Sequence, residues 1–415
     1  MGVLRFQRDY ADCRRPITQS DCRGRYIAID AMFNIFKGVI GIRHATGSIT
    51  NTQGRDITHL VVLIKIIEML IYNNIRPIFV FDSARPECKA TTIKARRNKL
   101  HNRLVKCGAD TTSTRIMSSE FKLDCYELLE AFGIPYVISP EEAEAQCAAL
   151  SHYYPQIIGT LTDDTDTLMF GGNNIIKDIA SRNHRDSHMF QLNICCNMLR
   201  QRANVILAEL GHPLYDTFTH DQFIKYNIMK GCDYFPGIGV HGNILFRDLI
   251  LCDFDIMRLL QIHDKTHMYE SYNIAYEYYT SAPVIDPAMI NININPPNYD
   301  NMRHILGYVL DYTPSKIRKL YDDMTSFYRI TRIIDDSGTK SPTHASRRIR
   351  ADTSALIDGG RIIELHSCNK LDTRHKRYPT AAMPFQSDAP MSYRVKYAER
   401  MQRRDKQNCA IRQCC

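Results

Sequence analysis

A chain of 415 residues, 44% hydrophobic and 24% charged, has the composition of a globular protein with room for one large domain and a smaller one. No apolar run approaches the ~20 residues of a membrane span, and Arg5, Arg8 and Asp9 interrupt any signal-peptide core. The 14 cysteines include no C-x-x-C pair, which predicts reduced thiols. We therefore expect an intracellular protein without a membrane segment.

Charge is distributed unevenly along the chain. From Lys340 to the end, 16 Lys and Arg face 7 Asp and Glu, whereas the preceding 339 residues carry 37 against 38. A basic segment beside a neutral body is typical of an electrostatic anchor for nucleic acid. It is equally typical of a solvated extension or, around Arg374–Arg377, of a nuclear-import signal. The tail by itself does not choose among these three.

Short β-prone runs alternate with helix-patterned stretches over the first 180 residues. This alternation predicts an α/β fold whose twisted, mostly parallel sheet carries helices on both faces. The predicted strands are Arg25–Ile29, Arg76–Phe81, Ile134–Ile138, Ile157–Leu161 and Ile175–Ile179. The predicted helices are Ala31–Arg43, Ile57–Tyr72 capped by Asp56, Lys89–Lys106, one ending at Phe132 and one opening at Ser139-Pro140.

Helical patterns dominate the next part of the chain. Asp221–Lys230 and Ile244–Ile262 read as helices, and Ile305–Tyr328 reads as two more. Ser281–Asn301 has four prolines and an Ile-Asn repeat, which predicts a linker or boundary. We expect one domain over residues 1–280, a helical extension over 281–334, and a basic tail over 335–415 with the composition of a partly disordered segment.

Acidic residues follow four successive predicted strands, and a further one lies in a later glycine-rich turn. Ligands of open α/β sheets lie beyond the carboxyl ends of the strands, so we expect these side chains to converge. Carboxylates packed together repel unless cations neutralise them, and hard divalent cations prefer oxygen ligands. The acids are Asp30, Asp82, Glu142, Glu144, Asp164, Asp166 and Asp233.

An acid cluster of this size indicates paired divalent cations. The chain has no His and Cys set with zinc spacing, which argues against a softer metal. Two Mg²⁺ ions ~4 Å apart, which Mn²⁺ can replace, stabilise the attacking and leaving oxygens in phosphodiester hydrolysis. Glu142 and Glu144 should not share one helix face, so we expect one to bind directly and the other partly through water. For Asp163–Asp166 taken alone, an acidic turn in solvent is the alternative.

Basic residues are concentrated in Lys89–Lys106, directly after Asp82. They would place cations where a phosphate approaches and negative charge develops. The alternative is the solvated face of a surface helix. The turn containing Gly237, Gly239 and Gly242 is a weaker candidate, because glycines let backbone N–H groups approach a phosphate or an ion.

Six blocks of sequence occur in a characteristic order. They are Met1-Gly2-Val3, IAID at Ile27–Asp30, VFD at Val80–Asp82, GIPYVISPEEAEAQCAAL at Gly133–Leu150, TDDTDTLMFG at Thr162–Gly171 and GCDYFPGIG at Gly231–Gly239. By these blocks the chain resembles, over roughly residues 1–250, the flap endonuclease group, which includes the xeroderma pigmentosum group G nuclease. The resemblance implies the PIN-like 5′ nuclease fold with a helical C-terminal region, and a DNA-binding monomer of the nucleus or a viral replication compartment.

The resemblance also implies roles for individual residues. The seven acids match the metal ligands, whereas Asp163 matches an acidic position that is not itself a ligand. Lys89 and Arg96 match, by their distance from Asp82, two basic residues that steer the scissile phosphate. Phe36 falls where the family stacks an aromatic on a base, although a core aromatic is an equal alternative. The positions implied to contact DNA are Gly2, Phe36, Arg97, Arg103, Gly237, Gly239 and Gly242.

Residues 1–280 would then form the nuclease domain, with a helical arch over about 83–132 and a helix-turn-helix-like element over about 231–262. The chain departs from the family pattern in three places. Leu4-Arg5-Phe6 replaces a Gly-Leu pair, and the short interval from Asp82 to Glu142 predicts a reduced arch. Gly239–Ile244 lacks the family's Gly-Pro-Lys ending, which predicts a weakened K⁺-assisted grip on duplex phosphates. With no sliding-clamp motif in the tail, the chain looks like a divergent viral member.

We therefore predict a metal-dependent structure-specific 5′ nuclease that acts on branched, flapped or nicked DNA during replication, repair or recombination. One alternative is a 5′→3′ exonuclease on DNA or RNA with the same active site. Another is a non-catalytic DNA-binding relative, against which the intact acids argue. A phosphatase of the aspartyl-phosphate type is disfavoured because Leu168 stands where that motif has Thr.

Overall fold

The computed structural model describes residues 2–83, 89, 119–179 and 187–338. The strands in these ranges are β1 Arg15–Pro16, β2 Tyr26–Asp30, β3 Arg76–Phe81, β4 Tyr136–Ile138, β5 Ile157–Leu161, β6 Asn174–Lys177 and β7 His188–Gln191. The helices are α1 Phe6–Asp9, α2 Ala31–Thr46, α3 Thr58–Tyr72, α4 Ser119–Phe132, α5 Ala143–Tyr153, α6 Asp166–Met169, α7 Leu192–Glu209, α8 His220–Lys230, α9 Gly242–Leu251, α10 Ile256–Ile262, α11 Tyr269–Ser281, α12 Tyr299–His304 and α13 Pro314–Gly338. A π-helical turn, Ile305–Val309, follows α12.

The described strands form one sheet in the order β1-β7-β6-β5-β2-β3-β4. β5 pairs in parallel with both β2 and β6, and β3 pairs in parallel with β4. At the other end of the sheet, β7 pairs antiparallel with both β6 and β1. Every residue of β2 and β3 is buried, as expected of strands covered on both faces. The predicted α/β class with a mostly parallel sheet and a helical C-terminal region is confirmed.

The chain divides into two compact units. The sheet unit comprises Met1–Asn34, Pro77–Ser118 and Tyr136–Ile292, and the helical unit comprises Ile35–Arg76, Ser119–Pro135 and Asn293–Cys415. In the sheet unit, α5 packs on the sheet in a core that includes Ala28, Val80 and Cys147. A second core gathers residues from α7 to α11 around aromatic side chains such as Phe223 and Phe246.

In the described part of the helical unit, helices pack on one another. α3 packs on α4, α4 on α12, and α12 on α13. The guanidinium of Arg76, which is 2% exposed, donates to the Thr331 carbonyl across 3.1 Å. No helix in the described part of the chain is long and apolar enough to cross a membrane.

Two local predictions need correction. Ser139 does not cap α5, because its hydroxyl donates to the Phe81 and Glu141 carbonyls and the helix begins only after Glu142. Ile244–Ile262 is two helices, since Asp253 and Phe254 adopt φ of 50° and 57° and Asp255 caps α10.

The predicted linker Ser281–Asn301 is packed in its first half. The Gln146 side chain bonds both the N–H and the carbonyl of Ile285, and Ile292 is buried in the core of the sheet unit. The division between the two units, after Ile292, falls inside this segment.

Candidate active site

The seven predicted acids, here called the carboxylate cluster, all belong to the sheet unit. Asp30 is the last residue of β2, and Asp82 follows β3 directly. Glu142 is the N-cap of α5, whereas Glu144 lies in its first turn. All are buried except Asp82, which is half-buried. Asp30 and Asp82 therefore lie at the carboxyl ends of neighbouring strands, and Glu142 and Glu144 lie at the start of the helix that follows β4.

Hydrogen bonds fix the two acids at the ends of β2 and β3. Asp30 accepts the Phe33 N–H across 3.0 Å and the Thr162 hydroxyl across 3.1 Å. Asp82 accepts the Ala143 N–H across 2.8 Å, which ties the end of β3 to the first turn of α5. An acid that accepts a donor from a helix N-terminus also interacts favourably with the helix dipole.

The turn after β5 is held by its own side chains. The Thr162 hydroxyl accepts the Asp164 N–H across 3.0 Å, and Asp164 Oδ1 accepts the Asp166 N–H across 3.1 Å. The Thr165 hydroxyl accepts the Val3 N–H across 2.9 Å, so the start of the chain is fastened to this turn. An acidic turn in solvent, the alternative for this block, is excluded because Asp164 and Asp166 are 6% and 1% exposed.

Burial and mutual repulsion raise the pKa values of acids in the cluster. Burial raises the pKa of Asp30 well above its usual value, and the neighbouring Asp82 and Asp164 carboxyls raise it further. Burial likewise raises the pKa of Glu144, assisted by Asp30 and Asp164. A shift from neighbouring charges requires proximity. Acids from β2, β3, α5 and the turn after β5 therefore share one electrostatic environment.

Asp166 and Asp233 complete the cluster. Burial raises the pKa of Asp166, and Asp164 and Asp233 raise it further, while Lys89 and the Tyr279 hydroxyl oppose the shift. Among the described residues, neither oxygen of Asp166 has a hydrogen bond of normal geometry. Buried carboxylate oxygens that lack hydrogen-bond donors destabilise the fold unless a cation binds them.

Lys89 lies inside the cluster. Its ammonium is 2.7 Å from Glu142 Oε2 and 3.7 Å from Asp233 Oδ2, and its side chain is 12% exposed. Burial alone would lower the pKa of Lys89, but the carboxylates, led by Glu142, raise it above its usual value. Lys89 therefore carries its positive charge among the acids. Its alternative role, on a solvated surface helix, does not apply to Lys89.

The donor set fits a hard divalent cation, because every member is a carboxylate. Among the described residues, no group of three or more His, Cys, Asp or Glu side chains is already arranged to hold an ion. Charges that repel one another stay apart, and Glu142 turns to Lys89 instead. The acids are thus gathered without being set at ligand spacing.

Gly2 lies against the turn that carries Asp164 and Asp166. Its φ is +85°, and a Cβ at this position would stand 2.3 Å from Asp164 Oδ1 and 2.7 Å from Asp166 Oδ1. Only glycine fits such an approach. The Leu4 N–H donates to the Gly231 carbonyl across 2.9 Å, so the same segment also contacts the chain just before Asp233.

The three turn glycines differ from one another. Gly237 has a φ of +79°, and a Cβ there would stand 2.5 Å from the Lys230 carbonyl oxygen, so this glycine closes the turn sterically. Gly239 has a φ of +76° with open space around it, and Gly242 begins α9. Gly239 and Gly242 therefore suit the predicted close approach of a phosphate better than Gly237.

Phe36 lies in the helical unit, on α2. Its ring stacks on Phe121 with centroids 5.6 Å apart and planes 12° apart, and Phe121 stacks in turn on His59 at 4.5 Å. Phe36 is only half-buried. The stack on Phe121 gives Phe36 a packing role, and its stacking on a base stays a prediction.

Some predicted residues lie elsewhere. Arg96, Arg97 and Arg103, together with most of the predicted arch, lie outside the described residues. Asp163 lies next to Lys177, whose ammonium donates to the Asp163 carbonyl across 3.1 Å and is 3.9 Å from its carboxylate.

Sequence reasoning missed a group of tyrosines beside the cluster. Tyr234 packs on Tyr278 and Tyr279, with ring centroids 4.8 and 5.0 Å apart. Tyr234 could have been found because it follows Asp233 directly. Tyr278 and Tyr279, at the end of α11, give no signal in a helix already rich in tyrosine.

Comparisons with known proteins agree with this geometry. Two family models match, the XPG N-terminal domain over residues 1–103 and the XPG I-region over residues 133–233. Flap endonuclease 1 of Glossina morsitans morsitans is 27% identical over 322 residues, which cover 73% of this chain and 80% of that protein.

Solved structures share the fold. The flap endonuclease-1 of Methanococcus jannaschii matches with a TM-score of 0.56 and 19% identity, over 76% of this chain and 96% of that one. The catalytic core of Rad2 in complex with DNA substrate matches with a TM-score of 0.54 and 22% identity, over 78% of this chain and all of that one. The chain therefore belongs to the flap endonuclease and XPG family.

Proposed function

We propose that this chain is a divalent-cation-dependent, structure-specific 5′ nuclease that hydrolyses phosphodiester bonds in flapped, branched or nicked DNA. The observation that carries the proposal is the convergence of acids from four successive strand ends, with Lys89 among them. Family membership supports the same activity, because its relatives include flap endonucleases. Its site of action would be an intracellular compartment that holds DNA.

The carboxylate cluster would hold two Mg²⁺ ions, which Mn²⁺ can replace. Bound there, such ions supply Lewis acidity that activates water and neutralises the charge developing on the phosphate. The protein itself shields the acids from solvent and holds them near one another. Thr162 orients Asp30, and the Ala143 N–H orients Asp82. Because Lys89 pairs with Glu142, cation binding requires this ammonium to give up part of that contact.

Lys89 would then act on the substrate. An ammonium among carboxylates is held in its charged form, since they raise its pKa. Such a group can donate to a non-bridging oxygen of the scissile phosphate, where negative charge develops. Gly2 would let the backbone pass close to Asp164 without a side chain in the way.

A cleavage assay tests the proposal. A labelled 5′ flap, a nick, a gap, a blunt duplex and an RNA strand are each incubated with Mg²⁺, and with EDTA as a control. We expect Mg²⁺-dependent cutting at the flap junction, whereas progressive digestion from 5′ ends would favour the exonuclease. Absence of cutting on every substrate would contradict the proposal.

Matched variants of neighbouring acids locate the activity. Asp164→Ala should abolish cutting while flap binding, measured by fluorescence anisotropy, survives. Asp163→Asn, one residue earlier, should keep activity within about threefold because Asp163 lies next to Lys177. Equal losses of activity in both variants would show that any substitution disrupts the structure of the turn, and would not assign a specific role to Asp164.

A further inference from the structure

Lys89 has an uncharged partner besides the acids. Its ammonium lies 5.4 Å from the centroid of the Tyr234 ring, within the ~6 Å range of cation–π attraction. Tyr234 is 7% exposed, so little water competes for this ring face. The other partners, Glu142 and Asp233, belong to the acids that would bind cations.

The Tyr234 ring is itself held in place. Tyr278 and Tyr279 pack on it at interplanar angles of 43° and 89°, and Phe170 contacts both of these tyrosines. The Tyr278 hydroxyl donates to Glu141 across 2.8 Å, which connects the end of α11 to the residue before Glu142. The ring is therefore a fixed surface at the edge of the carboxylate cluster.

These contacts lead to one inference, which rests on the proposed function. We infer that Tyr234 is a positioning residue. It holds the Lys89 ammonium beside the reacting phosphate when the carboxylates bind divalent cations and no longer pair with Lys89. A carboxylate such as Glu142 cannot coordinate a divalent cation and pair with the Lys89 ammonium equally well. An aromatic ring attracts an ammonium without competing for divalent cations, which prefer oxygen ligands.

The ring and the hydroxyl of Tyr234 can be separated experimentally. Among the described residues, the hydroxyl has no hydrogen-bond partner, so Tyr234→Phe keeps the ring face and removes no bond. Tyr234→Leu removes the ring. We expect Tyr234→Leu to lower kcat on a 5′ flap about tenfold with KM within about twofold, and Tyr234→Phe to stay within about twofold of wild type.

A double-mutant cycle distinguishes positioning from general damage. Lys89→Met should lower kcat about a hundredfold. If Tyr234 acts through Lys89, adding Tyr234→Leu to Lys89→Met should cause no further loss. A further tenfold loss in the double variant would overturn the inference, as would full activity of Tyr234→Leu.

Lysine labelling gives a readout that does not depend on cleavage. Reductive methylation with formaldehyde, followed by mass spectrometry, should modify Lys89 several-fold faster in Tyr234→Leu than in wild type or Tyr234→Phe. The exposed Lys319 serves as an internal reference and should not change. Unchanged Lys89 labelling in Tyr234→Leu would overturn the inference. A wild type that cuts no substrate but shows the labelling difference would overturn the proposed function and leave the Lys89–Tyr234 contact standing.

Discussion

Two acids, one in each unit, have opposite surroundings: Asp30 is buried and Asp124 is half-buried. In the helical unit, Asp124 accepts two contacts of 2.7 Å from Arg55 and one of 2.9 Å from His59. Although burial raises its pKa, these partners hold the pKa of Asp124 below its usual value. In the sheet unit, Asp30 has acids as neighbours, and its pKa is raised.

The difference separates two uses of buried charge. Asp124 is paired with cations of the protein, and its ionised form stabilises the fold. Asp30 and the rest of the carboxylate cluster are brought together against their own repulsion, with Lys89 as their nearby cation. Such an arrangement opposes folding at neutral pH and supports the proposal that the cluster binds divalent cations.

The largest effect that bears on this comparison is expected at Gly2. Gly2→Ala should lower flap cleavage about a hundredfold, which corresponds to ~2.7 kcal/mol, because the added methyl group must displace Asp164 and Asp166. Steady-state cleavage of a labelled flap measures the loss.

A matched glycine separates displacement from backbone strain. Gly211 has a similar φ of +67°, but a Cβ there meets nothing within 4 Å. Gly211→Ala should therefore leave cleavage within about twofold. Similar losses in both variants would mean that strain alone, and not the approach to the acids, explains Gly2.

A second prediction compares Asp30→Asn with Asp124→Asn. The raised pKa of Asp30 gives stability that is present below the unfolded pKa of ~3.9 and lost as pH rises through the folded pKa. Asp30→Asn should therefore stabilise the protein by about 1 kcal/mol at pH 8 in EDTA. The lowered pKa of Asp124 gives stability that is present above ~3.9 and lost as pH falls. Asp124→Asn should therefore cost about 1–3 kcal/mol at pH 8 and less near pH 3.

Urea unfolding followed by circular dichroism measures both free energies of unfolding. Saturating Mg²⁺ should raise the stability of the wild type at pH 8 and leave Asp30→Asn nearly unchanged. Destabilisation by both substitutions in EDTA would remove the contrast between the two acids.

The smallest effect is expected at Phe36, which lies on Phe121 in the helical unit. If its exposed part stacks on a base, Phe36→Ala should raise KM for the flap about fivefold, and Phe36→Tyr should not. Quenching of 2-aminopurine placed at the flap junction provides the direct signal. Lower stability with unchanged KM and quenching would make Phe36 a packing residue only.

The sequence predicted the position of the acids because that position follows from topology. Parallel strands end at one edge, so Asp30, Asp82 and Asp164 could be placed without coordinates. The break after α9 could not be predicted, because non-glycine residues Asp253 and Phe254 adopt positive φ there. The start of α5 was misplaced because Ser139 bonds to Phe81, a residue 58 positions away.

The tyrosines illustrate a different limit. The packing of Tyr278 on Tyr234 joins residues 44 positions apart and has no periodic or spacing signal. A side chain that supports another residue is visible only once both are placed. For the same reason, the contact of Gly2 with the turn after β5 was not predicted, since the family resemblance implied only a DNA contact for this residue.

The most direct test of the account is anomalous diffraction from crystals soaked in Mn²⁺. We predict two strong peaks among Asp30, Asp82, Glu142, Glu144, Asp164, Asp166 and Asp233, with the Lys89 ammonium moved away from Glu142 and still over the Tyr234 ring. Peaks elsewhere, or no peak at saturating Mn²⁺, would contradict the claim that these acids are gathered to bind divalent cations.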